Sequence, residues 1–400
     1  MHRKKYSIKQ ILLSNNNWWN FYLKHENKLR FSITYCIVKL LSCKNNILGY
    51  REYSCTNPNC SHSKRIFHTC KCKACSSCGK KATSAWINKQ YNILPNTNWQ
   101  HVTLTMPSEL WDFFWLNRWL IGKISKIGAD CFLSISNKQN IVPGIFSAIH
   151  TFGRDLKRNI HLHLSITLGG ITVDTGHWKT LFFNKSAIEK QWKYKIISLF
   201  RTAYQNQQLK IPASIQKQLN NAFTFEQFLD CLYRKKWIVD LAKSTPTPKL
   251  TIDYLGGYFK RPVIAEAKLK HYDGQSVTFK YLDRRYNLYT TKTFSVEDFI
   301  AKFVQHIPDH NFRMIRYYGF LSNRLRGKLL PAVYEALKQN VSKQTTATSF
   351  VDLMKQSFKV DPLQCILCGY QLALTAIVFG KTKTKGLINF HKELALLHII

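Results

Sequence analysis

Two histidines separated by one residue, His161 and His163, lie in a stretch of alternating apolar and polar character at residues 159–167. Successive side chains of a strand point to opposite faces, so both imidazoles would share one face and the aliphatic residues between them the other. Two imidazoles about 7 Å apart along a strand can hold one divalent metal ion. The alternative is a pair of partly buried core histidines. Gly169-Gly170 predicts a turn after this strand.

Two tyrosines four residues apart, Tyr254 and Tyr258, lie in a stretch that favours a short helix. That spacing places both phenols on one helical face, although a packed aromatic pair would have the same spacing. Gly256-Gly257 removes bulk from a helix that gains no stability from glycine, and Lys260 and Arg261 place cations close by. A phenol, with a pKa of about 10, becomes a useful nucleophile when a metal and cations polarise a phosphorus atom. Together with the histidines, the pair therefore predicts phosphotyrosine chemistry.

Cysteines are concentrated near the N-terminus, where seven of the twelve lie between positions 43 and 78. The pairs Cys55/Cys60 and Cys75/Cys78 predict a tetrahedral site for structural zinc, with free buried thiols as the alternative. More than four candidate ligands are present, so the spacing leaves a second zinc open. The further candidates are Cys43, His68, Cys70 and Cys72.

Two other cysteine positions are interpreted differently. Cys36 lies on an apolar helix and is predicted to be a core residue. Cys365 and Cys368 form half of a zinc knuckle in the tail, with no second pair after them, which predicts a decayed site or two free thiols.

The elements that must position these residues suggest an α+β chain of several units, because 400 residues exceed one ordinary core. A strand is predicted at Trp99–Thr105, a helix from Pro143 to Lys157 and a strand at Trp237–Leu241. We predict four units: a zinc-binding module (1–92), a nuclease domain with the tyrosine helix (93–265), a basic C-terminal part of that domain (266–345) and a tail (346–400).

The charge balance points to a polyanionic partner. Lys and Arg number 59 against 22 Asp and Glu, a net charge of +37, which suits nucleic acid and is unusual for an enzyme of small metabolites. A membrane surface is the rival, but the sequence has no run of 18 apolar residues and no signal-peptide core, so we expect a soluble, intracellular protein. Residues 312–328 mix aromatic rings with Arg313, Arg316, Arg324 and Arg326, which predicts contact with single-stranded DNA or else a solvated basic helix.

These motifs resemble those of a known family. NIHLHLSITLGG followed by DYLGGYFKRP is similar to the two-tyrosine HUH (His-hydrophobe-His) transposases of rolling-circle insertion sequences, and HTCKCKACSSCGKKATSAWI resembles their N-terminal zinc-binding region. The resemblance covers most of the chain. It implies that His161 and His163 hold magnesium or manganese and that Tyr254 and Tyr258 cleave single-stranded DNA at element ends and target. The products would be a 5′-phosphotyrosine and a free 3′-hydroxyl, made in a bacterial cytoplasm at the nucleoid.

The resemblance also implies an antiparallel sheet with helices on one face, the histidines on a central strand and the tyrosine helix over them. Gly257 departs from the arginine common in the family, and Cys72-Lys73 interrupts its usual run between zinc ligands. The third ligand of the catalytic metal and the oligomeric state stay open; the ligand candidates are His101, His150, Asp155 and Asp253. The rivals are a plasmid rolling-circle replication initiator and a non-catalytic, zinc-dependent DNA-binding protein.

Overall fold

The structure, a computed structural model, describes residues 6–259, 263–283, 286–340, 349–381 and 384–396. Its helices are α1 Ile8–Leu13, α2 Asn17–His25, α3 Phe31–Leu41, α4 Ser76–Tyr91, α5 Trp111–Leu116, α6 Ile121–Asn137, α7 Lys185–Gln205, α8 Ala222–Arg234, α9 Pro248–Phe259, α10 Val296–Val304, α11 Arg326–Ala336, α12 Phe350–Phe358 and α13 Thr384–Leu396. Its strands are β1 Gly49–Cys55, β2 Ser63–Phe67, β3 Trp99–Leu104, β4 Ile141–Phe152, β5 Arg158–Thr172, β6 Trp178–Thr180, β7 Val239–Leu241, β8 Leu269–Tyr272, β9 Ser276–Asp283, β10 Leu288–Ser295, β11 Ile315–Gly319 and β12 Leu372–Phe379.

The largest sheet is antiparallel, with strand order β11-β4-β5-β3-β7 and β6 beside β5. The central strand β5 alternates as the sequence predicts: Leu162 and Leu164 are fully buried in a core that includes side chains of α5 to α8. Burying one such side chain stabilises the fold by about 2 kcal/mol. The predicted α+β class is therefore confirmed, and the histidine strand is central.

Helices cover both faces of this sheet, so the expectation of helices on one face is wrong. The second face carries Phe146 and Ala148 of β4, which pack with Trp86 of α4, Ile252 of α9 and Val333 of α11. The physical reason is that β4 is buried almost along its whole length and on both faces. A strand of that kind needs an apolar layer on each side.

Two local predictions in this sheet are also wrong. The predicted helix from Pro143 is strand β4, which β5 and β11 pair on either side, so tertiary pairing overrides the local signal. Strand β5 continues through Gly169-Gly170 instead of turning there. A Cβ at Gly169 would lie 2.7 Å from the ring of Trp178, and one at Gly170 would lie 2.5 Å from the carbonyl oxygen of Val142. These glycines allow close packing.

Segments far apart in sequence form the rest of the chain. The sheet β8–β10 and helix α10 pack with α1 to α3 in one core, in which Ile37, Phe279 and Phe303 are fully buried. Cys36 is buried there as predicted, and its sulfur is bonded to that of Cys72. The N-terminal strands β1 and β2 form a third sheet with β12 of the tail. The three boundaries between the four predicted units stay predictions, and the pairing of β1 with β12 joins the first predicted unit to the last.

None of the helices in the described part of the chain combines the length and apolar character that crossing a bilayer requires.

Candidate metal centre and nucleic-acid groove

Three histidines converge on one face of the large sheet. His161 and His163 lie on β5, and His150 lies directly opposite His161 on β4. One ring nitrogen from each of the three lies within 4.8 Å of the others. Three imidazoles in this arrangement can bind one divalent ion and leave its remaining positions to water or phosphate oxygens.

The hydrogen bonds of these histidines suit metal binding. The Nδ1–H of His161 donates to the carbonyl oxygen of Asn159 at 2.9 Å, which leaves the Nε2 lone pair for a ligand role. Burial lowers the pKa of His161, so the ring is neutral at pH 7, as a metal ligand must be. His101 Nε2 lies 3.1 Å from His163 Nδ1, and this hydrogen bond orients the His163 ring. Burial also lowers the pKa of His101, to about 4.

Of the four candidates for a third ligand, the structure brings His150 into the group. His101 stands behind His163 as an orienting partner. Asp155 forms an ion pair with Lys157 at 3.6 Å and belongs to none of the possible metal groups among the described residues. Asp253 is exposed and accepts a hydrogen bond from the hydroxyl of Tyr91.

The predicted tyrosine helix is α9, Pro248–Phe259, and it packs against α4 and β3. Its fully buried Ile252 lies in the same apolar cluster as Ala148, whose backbone pairs with that of His163. A Cβ at Gly256 would lie 2.5 Å from side-chain atoms of Ile87 on α4, so the glycine permits close contact between the two helices.

The helix thus lies on the sheet face that carries the histidines, as the resemblance implies. The side chains of Tyr254 and Tyr258, and the whole of Lys260 and Arg261, lie outside the described residues.

The cysteines form two tetrads, which corrects the single site predicted from Cys55, Cys60, Cys75 and Cys78. The first tetrad is made of Cys43, Cys70, Cys75 and Cys78. Its sulfur–sulfur distances include 3.5, 3.7 and 3.8 Å. A tetrahedral zinc with Zn–S bonds of about 2.3 Å has edges of about 3.8 Å, so these residues fit zinc.

The amide N–H of Cys70 donates to Cys43 Sγ at 3.4 Å, a hydrogen bond that favours the thiolate that zinc needs. His68, a predicted candidate ligand, lies outside both tetrads. Its Nδ1–H donates to the carbonyl oxygen of Leu48 at 3.0 Å.

The second tetrad joins Cys55 and Cys60 to Cys365 and Cys368. The tail cysteines therefore lie beside a second pair, which the sequence interpretation had not found because it expected that pair to follow them. That pair comes some 300 positions earlier in the chain, where β1 pairs with β12. Local spacing shows each half of the site but not which halves meet.

A groove of about 640 Å³ separates residues 71–73 and helix α4 from strand β11. None of the described residues that line it is acidic. Trp86 and Tyr317 form part of its wall, joined by a hydrogen bond of 2.9 Å from the indole Nε1–H to the phenol oxygen. Strand β11 pairs with β4, which carries His150, so the groove runs beside the histidine strands. Its basic lining residues are Lys71, Lys73, Lys89, Arg313 and Arg326.

The sequence predicts that four arginines of this region contact DNA. Arg313 and Arg326 line the groove, while Arg324 is exposed outside it. Arg316 lies elsewhere: an added Cβ at Gly122 on α6 would lie 3.8 Å from its guanidinium. The side chains of a strand alternate, so Arg316 points away from the face that carries Tyr317. Lys71 and Lys73 are expected from their position among the cysteine ligands, whereas Lys89 joins the groove only because α4 lies against β11.

Comparisons with known proteins match both halves of the chain. A family model described as a transposase zinc-binding domain matches residues 14–106, and one described as a putative transposase matches residues 144–328. The chain is 38% identical over 376 residues to the "Transposase for insertion sequence element IS801" of Pseudomonas savastanoi pv. phaseolicola, covering 94% of this chain and 90% of that protein. It is 24% identical over 349 residues to the "Putative transposase y4qJ" of Sinorhizobium fredii, covering 84% and 87%. No solved structure matches the chain.

The two matched ranges contain the features described above. The zinc-binding range includes the whole first tetrad, and the transposase range includes the three histidines and helix α9. With a relative of this identity aligned over nearly its whole length, the chain belongs to the family of insertion-sequence transposases that carry an N-terminal zinc-binding domain, the family that its histidine and tyrosine motifs indicated.

Proposed function

We propose that this transposase is an HUH-type enzyme that cuts and rejoins single-stranded DNA through Tyr254 and Tyr258. The observation that carries the proposal is that three imidazoles converge on the sheet face against which the tyrosine helix packs. A spacing of four residues on the helix Pro248–Phe259 would put both phenols on one side of it. The predicted zinc and the DNA partner agree with family membership, whereas the catalytic metal, magnesium or manganese, is part of the proposal.

His150, His161 and His163 would hold the catalytic ion by neutral ring nitrogens. The ion would polarise a phosphate oxygen and make the phosphorus more electrophilic. The phenol oxygen of one tyrosine then attacks the phosphorus, loses its proton, and displaces the 3′-oxygen, which leaves as a hydroxyl. The chain keeps the 5′-phosphate as a tyrosine ester, and attack by another 3′-hydroxyl reverses the bonding and frees the phenol. A second tyrosine allows a second link before the first is resolved.

The groove between α4 and β11 offers a path for the strand. Five basic side chains line it, and Trp86 and Tyr317 supply aromatic surface, the combination that binds phosphate backbone and stacked bases. Its position beside β4 would lead a bound strand toward His150. Single-stranded DNA at the element's ends and target is therefore the proposed substrate.

Two rival functions remain distinguishable. A plasmid replication initiator would use the same residues, but both relatives are named as transposases. A non-catalytic DNA-binding protein would not need three convergent imidazoles beside a helix with two tyrosines.

The test is the double variant Tyr254→Phe/Tyr258→Phe. It removes two hydroxyl groups and keeps the rings, so we expect folding to change by no more than about 1 kcal/mol per lost hydrogen bond. With single-stranded DNA from the element's own ends and Mg²⁺ or Mn²⁺, the wild type should give a protein–DNA adduct that survives a denaturing gel, and the variant none. Tyr194→Phe/Tyr233→Phe, at exposed positions on α7 and α8, is the matched control and should retain the adduct. An adduct with the double variant would show that other residues attack.

A further inference from the structure

We propose that a second structural zinc ion fastens the C-terminal tail to the β1–β2 hairpin, held by Cys55, Cys60, Cys365 and Cys368. The two family models end at residues 106 and 328, so both tail cysteines lie outside the matched ranges. The proposal rests on the geometry of these four residues and is independent of the proposed nuclease chemistry.

The sulfur geometry fits one tetrahedral ion. Cys55 Sγ lies 3.4 Å from Cys368 Sγ, and Cys60 Sγ lies 3.8 Å from Cys365 Sγ. All four sulfurs lie within 4.8 Å of one another. Zinc bonded to four sulfurs at about 2.3 Å requires edges of about 3.8 Å, so an ion can enter with small side-chain movements.

The backbone around the sulfurs is shaped for thiolates. The amide N–H of Asn57 donates to Cys55 Sγ at 3.5 Å. The amide groups of His62 and Leu367 stand in the same relative position, two residues after Cys60 and Cys365. Hydrogen bonds of this kind stabilise the charged sulfur of a metal ligand. The first tetrad shows the same pattern, since the N–H of Cys72 donates to Cys70 Sγ at 3.4 Å.

Both halves of the tetrad are tight turns brought together by strand pairing. Gly369 follows Cys368 with φ of +77°, and its N–H donates to the carbonyl oxygen of Cys365 at 3.0 Å. Strand β12 then pairs with β1 along its length, with Leu372 opposite Cys55. The tail thus delivers its two thiols to the end of β1. Lys64 of β2 reaches the carbonyl oxygen of Pro362 at 3.2 Å, so a cation stands close to a centre that would carry net negative charge.

The apolar cluster around the tetrad is too small to hold the cysteine turn and β12 in place alone. Its buried members are Tyr53, Cys365 and Leu372, one of which is a proposed ligand. On the tail side, Ile366, Leu367 and Phe379 are more than 70% exposed. Units with so little buried surface commonly depend on a metal.

Metal content of the intact chain gives the first test. Protein purified under reducing conditions without added metal should contain two zinc ions per chain by elemental analysis and by native mass spectrometry. Cys365→Ser/Cys368→Ser should contain one. Cys131→Ser/Cys231→Ser, which removes two cysteines outside both tetrads, is the matched control and should contain two.

A second pair of variants shows whether the four thiols share one ion. Cys55→Ser/Cys60→Ser should also lose one zinc, and the variant with all four serines should still lose only one. Two separate losses would mean that the pairs bind metal independently and would overturn the proposal. One zinc in the wild type, iron in place of the second zinc, or disulfides among these four cysteines would overturn it as well.

Hydrogen exchange separates loss of the clamp from general unfolding. In Cys365→Ser/Cys368→Ser, the amides of β12 should exchange at least tenfold faster, while those of β4 and β5 keep their protection. Unchanged protection of β12 after loss of the metal would show that the ion does not hold the tail. Protection lost throughout the large sheet would contradict a local role for the ion.

Discussion

Adding one methyl group at Gly256 tests whether the tyrosine helix is docked on α4 as the structure shows. In a helix interior, alanine in place of glycine ordinarily stabilises by about 1 kcal/mol. At Gly256, however, the new Cβ would lie 2.5 Å from both Cδ1 and Cγ1 of Ile87. Real Cβ contacts are longer than 3.0 Å, so either Ile87 or the helix must move.

The magnitude follows from these two opposing effects. Overpacking of a closed contact costs about 1–3 kcal/mol. Over most of that range the cost exceeds the gain of about 1 kcal/mol in helix propensity. We therefore expect Gly256→Ala to lower the free energy of unfolding by up to about 2 kcal/mol. Displacing α9 by about 1 Å would also move the phenols relative to the metal, and misplacement of that size can slow a reaction about 100-fold.

The assay compares denaturant unfolding and the initial rate of adduct formation across four variants: Gly256→Ala, Ile87→Ala, their combination and a control. Gly386→Ala, on α13 with no atom within 4 Å of the added Cβ, is the matched control and should be neutral or stabilising, with unchanged adduct formation. Gly256→Ala/Ile87→Ala removes the obstructing atoms, so adduct formation should partly return, a coupling that a double-mutant cycle detects. If Gly256→Ala behaves like Gly386→Ala in both measurements, the packing of α9 on α4 is wrong.

Three further predictions concern the metal, the groove and pH. His150→Ala should raise the metal concentration needed for adduct formation at least about 100-fold, and His101→Ala only about tenfold, because His101 orients a ligand without binding the ion. A metal titration of adduct formation, with exposed His271→Ala as the control, measures both. An unchanged metal requirement in His150→Ala would contradict the prediction. Arg313→Gln/Lys89→Gln should weaken binding of single-stranded DNA and make the slope of log K against log salt shallower by about 1.4. The control Lys190→Gln/Lys217→Gln, at exposed positions, should change neither the affinity nor the slope. A fluorescence titration at several salt concentrations measures both quantities. Burial lowers the pKa of His306 to about 4, so the unfolded chain binds a proton below pH 6.5 that the folded chain refuses, and stability falls as pH falls. His306→Gln should therefore gain about 2 kcal/mol relative to the wild type between pH 7 and pH 5, and an unchanged difference in unfolding free energy would refute the assignment.

The sequence was sufficient where a residue's role depends on its near neighbours. The alternation around His161 and His163 predicts the face they share, and the spacing of two tyrosines predicts the helix that the structure has at Pro248–Phe259. His150 remained one candidate among four because Pro143 and Gly144 suggested the start of a helix. In the fold, the carbonyl oxygen of Pro143 accepts from the N–H of Phe320, and Gly144 donates to the Thr167 hydroxyl, so distant partners stabilise the strand.

The prediction of which cysteines share a zinc ion failed for a related reason. Spacing identifies Cys55/Cys60 and Cys365/Cys368 as half-sites, but the partner of each is chosen by pairing of β1 with β12. Contacts between residues some 300 positions apart stabilise this pairing, and such contacts leave no pattern in the sequence near either cysteine pair.

The two tetrads differ in what they can influence. Helix α4 begins beside the first tetrad, with Cys75 as its N-cap residue and Cys78 in its first turn. About two turns later, Trp86 and Ile87 of the same helix contact α9 at Gly256. Zinc in the first tetrad would fix the start of α4, and the rigid helix would transmit that placement to the tyrosines. The second tetrad joins the β1–β2 hairpin to β12 of the tail, and none of the described residues in its packing cluster belongs to α4 or α9. We therefore expect the first zinc to help position the proposed catalytic helix and the proposed second zinc to act on the tail.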